Sequence, residues 1–130
     1  MYLRFVTPLI HPYSRVESGF FRASWYIQRN NCPDWIRHEL ADQFDWFGKH
    51  LPIPGRIARH FKGRDTVWGI CWFDPGAREA ISRAHYCAWL LEEGGLPVRA
   101  IRTARQREVI WRDAHQIVTK PCADLPKGFA

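Results

Sequence analysis

The sequence predicts a single-domain α+β fold in the order β-α-α-β-α-β-β, with a mixed or antiparallel four-stranded sheet packed with helices. Three observations point there. Apolar residues recur at spacings of three and four through the middle of the chain, and β-branched and aromatic runs lie at its start and in its last third. A chain of 130 residues has room for one hydrophobic core but not comfortably for two, so residues 1–130 are read as one domain.

The first element is a strand, Tyr2 to Thr7, a β-branched and aromatic mix ended by Pro8. Its alternation requires either a buried Arg4 or an exposed edge. Gly19 to Gln28 follows as a helix, with apolar side chains at 20, 21, 24/25 and 27, a spacing nearer 3.6 than 2. A second helix starts around Pro33. Asp34 stands where the helix dipole favours an anion, and Ile36, Leu40, Phe44, Phe47 and Leu51 form one stripe. Leu51-Pro-Ile-Pro-Gly55 then breaks the helix and marks a loop.

Thr66 to Phe73 is apolar on both alternating faces, the pattern of a central strand covered on two sides, with Gly69 at a position suited to a bulge. Asp74-Pro75 supplies a cap and a first-turn proline for a third helix. Its apolar positions Ala77, Ile81, Ala84, Ala88 and Leu91 run until Gly94-Gly95 stops it. Val98 to Thr103 and Val109 to Thr119 are β-rich and fit an antiparallel hairpin around Ala104 to Glu108. A parallel crossover from the central strand through the third helix to Val98–Thr103 is also compatible with the order.

Composition excludes several classes. With 46% hydrophobic and 15% aromatic residues the chain is too apolar for a disordered tail. The longest apolar run, Val67 to Phe73, falls far short of the roughly 20 residues of a membrane helix, so no membrane association is expected. The amino terminus lacks the basic and apolar pattern of an export leader, which points to the cytoplasm and to Cys32, Cys71, Cys87 and Cys122 remaining thiols.

Charge is the most informative feature for function. Nineteen basic residues against thirteen acidic leave a formal charge of +6, and all the basic residues but Lys49, Lys62, Lys120 and Lys127 are arginine. Guanidinium groups grip phosphate through paired hydrogen bonds and stack on bases, which suits an anionic partner. Two acid-free runs concentrate them, Arg56, Arg59, Lys62 and Arg64 in one and Arg99, Arg102, Arg105 and Arg107 in the other. If both lie at one end of the sheet they form a phosphate-binding groove, so the leading expectation is a small basic protein binding nucleic acid, before an acidic protein.

Other chemistry is weakly represented. The cysteines and histidines contain no Cys-x2-Cys and no His-x3-His pair, so no metal site is expected, and His85 and Cys87 face different directions on a helix. No nucleophile elbow, phosphate-binding Gly-rich loop or dinucleotide fingerprint is present, and no cofactor is implied. The sequence favours a binding protein over an enzyme. Trp35 and Trp46, eleven residues apart on the second helix, nearly overlie each other and either pack on a second neighbour or offer an aromatic flank to a protein partner.

Two resemblances accompany these readings. Arg4 on the first strand, Trp72-Phe73 before a helix, and Asp113, His115 and Gln116 on a late strand resemble the layout of ADP-ribosyltransferase-like domains, which implies a cleft where Arg4 binds a dinucleotide phosphate. The family's Glu-x-Glu or Gln-x-Glu motif is replaced here by Asp113-Ala-His-Gln116. Over most of the chain, Tyr2-Leu-Arg-Phe-Val, Trp72-Phe73 and the run Ile110-Trp-Arg-Asp-Ala-His-Gln-Ile-Val resemble a set of small bacterial proteins that carry no assigned activity.

Overall fold

The computed structural model describes residues 1–11, 15–30, 32–51, 69–104, 108–120 and 124–129. The elements are β1 (Tyr2–Ile10), β2 (Glu17–Gly19), α1 (Phe20–Gln28), α2 (Asp34–His50), β3 (Ile70–Phe73), α3 (Arg78–Glu93), β4 (Arg99–Thr103), β5 (Val109–Arg112) and β6 (Gln116–Thr119). The α+β class holds: the described residues form three helices and a sheet whose described pairings are antiparallel. The expected strand count does not hold: the sheet has six strands rather than four.

Two local events raise the count. The chain turns back after β1 so that Glu17–Gly19 pairs with it, His11 N–H donating to Val16 O at 2.9 Å across the turn. The run Val109–Thr119 is two strands folded on each other around Asp113, whose Oδ1 accepts the N–H groups of His115 (2.7 Å) and Gln116 (3.2 Å). An aspartate that satisfies the main chain two residues on is a turn former, and it ends β5 here. The expected hairpin between Val98–Thr103 and Val109–Thr119 is therefore replaced. β4 pairs with β1 in continuous register from Tyr2↔Thr103 to Val6↔Arg99, and β5 pairs with β6.

The register also shows how β1 is flanked. Leu3 faces Arg102 on one side and Phe73 on the other, while Val6 faces Arg99 and Gly19. β2 and β3 thus follow one another along a single edge of β1, and Arg4 and Phe5 lie where one gives way to the other. β3 sits between β1 and β6, the central position expected for it. β3 and β4 run in the same direction on opposite sides of β1, so α3 connects two parallel strands that do not touch.

Alternation along the strands divides the core in two. Leu3, Phe5 and Phe73 face the helices and pack with Phe20 and Ile27 of α1, Ile36, Leu40 and Phe47 of α2, and Ala84 and Leu91 of α3. The α2 stripe is as expected, Phe44 being half-buried against the same cluster. α3 starts later than its Asp74-Pro75 signal. Asp74 Oδ1 instead accepts Gly76 N–H at 2.8 Å in a turn, and the helix begins at Arg78. Its end is as expected: Leu96 N–H returns to Leu91 O and Gly95 N–H to Glu92 O, with Gly95 at φ +93° where other residues are strained.

The opposite face carries Ile70, Trp72 and Ile117, and Leu125 of the carboxy-terminal segment packs with them. That segment is fastened at three points. The Glu17 carboxylate accepts Gly128 N–H at 2.7 Å and Phe129 N–H at 2.6 Å, and Arg99 donates to Gly128 O at 2.6 Å while covering the Phe129 ring. A Cβ on Gly128 would come within 2.5 Å of Val6 Cγ2, so this residue must be glycine for the segment to lie flat. Glu17→Ala removes two charge-assisted hydrogen bonds and is expected to cost about 2 kcal/mol. Amide exchange at Gly128 and Phe129 should accelerate with it, and unchanged exchange there would show that the carboxylate does not hold the segment.

Candidate functional site

Arg56, Arg59, Lys62 and Arg64, and Arg105 and Arg107, lie outside the described residues. Arg99 and Arg102 stand exposed on β4, which pairs with β1 alone among the described strands. Three residues apart on a strand, they point to opposite faces. Arg99 is on the face of the carboxy-terminal segment and holds it, whereas Arg102 is on the helix side and makes no ion pair with a described residue.

The residues of the transferase-like layout are partly brought together. Gln116 faces Phe73 on the helix side of the sheet, where Cys71 Sγ donates to Gln116 Oε1 at 2.9 Å and Gln116 Nε2 donates to Asp113 Oδ2 at 3.1 Å. Trp111 Nε1 donates to the same carboxylate oxygen at 2.8 Å. Burial raises the Asp113 pKa, but donation from His115 N–H, Trp111 and Gln116 outweighs it and leaves the carboxyl below its ordinary value. Trp72 lies on the opposite face at 1% exposure, within the second core, and His115 is exposed. Trp72 and the Gln116–Asp113 pair therefore do not line one cleft.

Arg4 is buried, the first of the two alternatives its strand allowed. Its Nη2 donates to Glu17 O at 2.7 Å, across the place where β2 and β3 meet along β1, and it makes no ion pair with a described residue. Desolvation pulls its pKa down to about 10, against the opposing pull of Cys71 and Glu17. Burial, then Arg22 and Arg4, likewise holds the His11 imidazole below its ordinary value. The charges at this corner are thus Arg4 and Arg22, with the Glu17 carboxylate acting on Arg4.

Trp35 and Trp46 both turn toward α3, along which α2 runs antiparallel. Trp35 is 49% exposed with its ring 6.0 Å from Trp89, which stacks on Tyr86 at 5.9 Å. Trp46 is half-buried against Phe47, with His50 stacked on it at 4.4 Å and the Arg83 guanidinium 4.5 Å from its centroid. The two tryptophans thus border the seam between two helices, and only Trp35 offers an exposed ring.

The residues that the periodic reading missed lie on α1. Its buried set is Phe20, Ala23, Ser24 and Ile27, so position 24 faces inward and position 25 outward. Arg22, Trp25, Tyr26 and Arg29, at i, i+3, i+4 and i+7, form the outward stripe, with Trp25 49% and Tyr26 44% exposed. The signal was present in the spacing, but aromatic residues count as core in any apolar pattern. Among the described residues no group of three or more His, Cys, Asp or Glu side chains is placed to hold a metal, and no helix is long and apolar enough to cross a membrane. No family model, no curated protein and no solved structure matches the chain.

Proposed function

We propose that the protein is a small basic binding protein whose arginines engage the phosphates of a nucleic acid. One observation supports this above the others. Among the described residues the ion pairs are Arg37–Asp34, Arg83–Glu79 and Lys120–Glu108, and the exposed Arg15, Arg22 and Arg102 take part in none. Surface guanidinium groups without internal acids are available to an external anion, and the formal charge of +6 attracts one at long range. The reading extends to Arg56, Arg59, Lys62, Arg64, Arg105 and Arg107, whose placement lies outside the described residues.

Retention of the nuclease-treated protein on single- and double-stranded oligonucleotides, followed as salt rises, tests this. With three phosphate contacts, affinity is expected to fall roughly 20- to 40-fold between 50 and 200 mM salt. Absence of binding at the lowest salt would remove the reading and leave the charge as surface composition.

A further inference from the structure

We propose that the outward face of α1 is a stacking platform for single-stranded nucleic acid, with Trp25 and Tyr26 holding bases and Arg22 and Arg29 holding the flanking phosphates. The inference rests on the nucleic-acid reading above and specifies where the strand lies and in what form.

Four observations converge on this face. First, the helix is anchored by its other side: Phe20, Ala23, Ser24 and Ile27 are buried, so the outward rings are not needed to hold it. Second, the stripe Arg22, Trp25, Tyr26, Arg29 places two half-exposed rings between two cations separated by seven residues, about 10 Å along a helix. Third, no acid occurs from Ser18 to Pro33, so nothing on this segment repels a phosphate.

Fourth, the Arg29 side chain is ordered before any ligand arrives. Its guanidinium lies 4.1 Å from the Trp25 ring centroid and Nη1 donates to Trp25 O at 3.2 Å. The indole remains 49% exposed beside it, so a base can stack on the ring while the cation meets the phosphate. Arg22 at the other end is exposed and adds to the Arg4 charge felt at His11.

The other exposed aromatic group does not meet these conditions. Trp35 and Trp89 lie on helices that also carry Asp34, Glu39, Asp42, Asp45, Glu79, Glu92 and Glu93, whose charge opposes a phosphate backbone. The single-stranded form fits two exposed rings projecting from the convex outer side of a helix. They reach the faces of unstacked bases, whereas a duplex keeps those faces against one another.

Fluorescence anisotropy of labelled oligothymidylate and of a blunt duplex, at low salt, tests the platform. Wild-type protein should bind the single strand more tightly than the duplex. The double variant Trp25→Ala/Tyr26→Ala should lose roughly 100-fold in single-strand affinity, with its circular dichroism and melting midpoint unchanged because both rings are outside the core. Trp35→Ala should bind as wild type, and Arg22→Ala and Arg29→Ala should each reduce the salt slope by about 0.7. If wild type binds and the double variant binds equally well, the strand lies elsewhere and only the platform falls. If wild type binds neither nucleic acid, the broader reading falls with it.

Discussion

Raising the pH from 8 to 12 is expected to destabilise the protein by a thiol-driven loss that alanine substitution abolishes. The Cys87 thiol, fully buried on α3, is pushed up to about 12 by desolvation against a weaker opposing pull from Arg83. Cys71 on β3 is likewise pushed up to about 12 by burial, with Arg4 opposing and Asp113 reinforcing. Below about pH 8 both thiols keep nearly all their protons in the folded and the unfolded chain and contribute little pH dependence. Above it the unfolded chain releases protons that the folded chain retains, so stability falls as pH rises.

Each thiol contributes a loss of about 1.4 kcal/mol between pH 8 and 10, approaching about 4 kcal/mol by pH 12. Tyr86, raised by burial and by its hydrogen bond to Glu39, adds in the same direction. Arg4 acts oppositely from about pH 9 upward, where the folded chain begins to release the guanidinium proton first, so the opposition is smallest between pH 8 and 10 and is common to wild type and thiol variants. Denaturant unfolding in that window should show a flatter pH slope for Cys87→Ala, whatever that variant does to stability at neutral pH. Equal slopes for wild type and variant would mean that the thiol is not held neutral by burial.

These buried groups bear on how much of the molecule is legible in its residues. α2 and α3 are legible because their apolar positions repeat every three or four residues and are flanked by a proline or a glycine pair. β2 is not: Glu17, Ser18 and Gly19 carry no β-preferring side chain, and they form a strand because the turn after β1 lays them on its edge. Pairing is harder still. Adjacent β-rich runs suggest a hairpin, yet β4 is drawn to β1, nearly a hundred residues earlier, where Ile101 joins the second apolar cluster. The turn at Asp113 is legible in chemical terms, since an aspartate in a β-rich run is a stop signal, but the same carboxylate beside His115 and Gln116 also fits a site.

The candidate site shows the same division between composition and position. Excess arginine is visible in the sequence, whereas the split of Arg99 and Arg102 between two faces needs the strand register. Arg99 also has a partner that no local pattern announces, the carbonyl of Gly128. On α1 the stripe of Arg22, Trp25, Tyr26 and Arg29 becomes a surface only once Phe20, Ala23, Ser24 and Ile27 are known to face the sheet. An amphipathic helix with aromatic residues on both sides has two candidate apolar faces, and tertiary packing chooses between them.

Trp72→Ala is expected to cost about 3–5 kcal/mol, against a total stability of about 5–15 kcal/mol for a domain of this size. Trp72 is 1% exposed and belongs to the small cluster of Ile70, Ile117 and Leu125 that closes the second face of the sheet. Few residues share that cluster, so neighbouring side chains have little freedom to collapse into the space left. Trp72→Phe retains most of the apolar area and should cost less than half as much. Leu125→Ala removes the side chain that the carboxy-terminal segment buries there and should also destabilise, by about 2 kcal/mol. A small effect of Trp72→Ala in denaturant unfolding would mean that this ring is not a core element and would return it to consideration as part of a cleft. A large effect, with the Leu125 variant also destabilised, would make the second face a structural core in which the Glu17 clamp, Gly128 and Trp72 act on one segment.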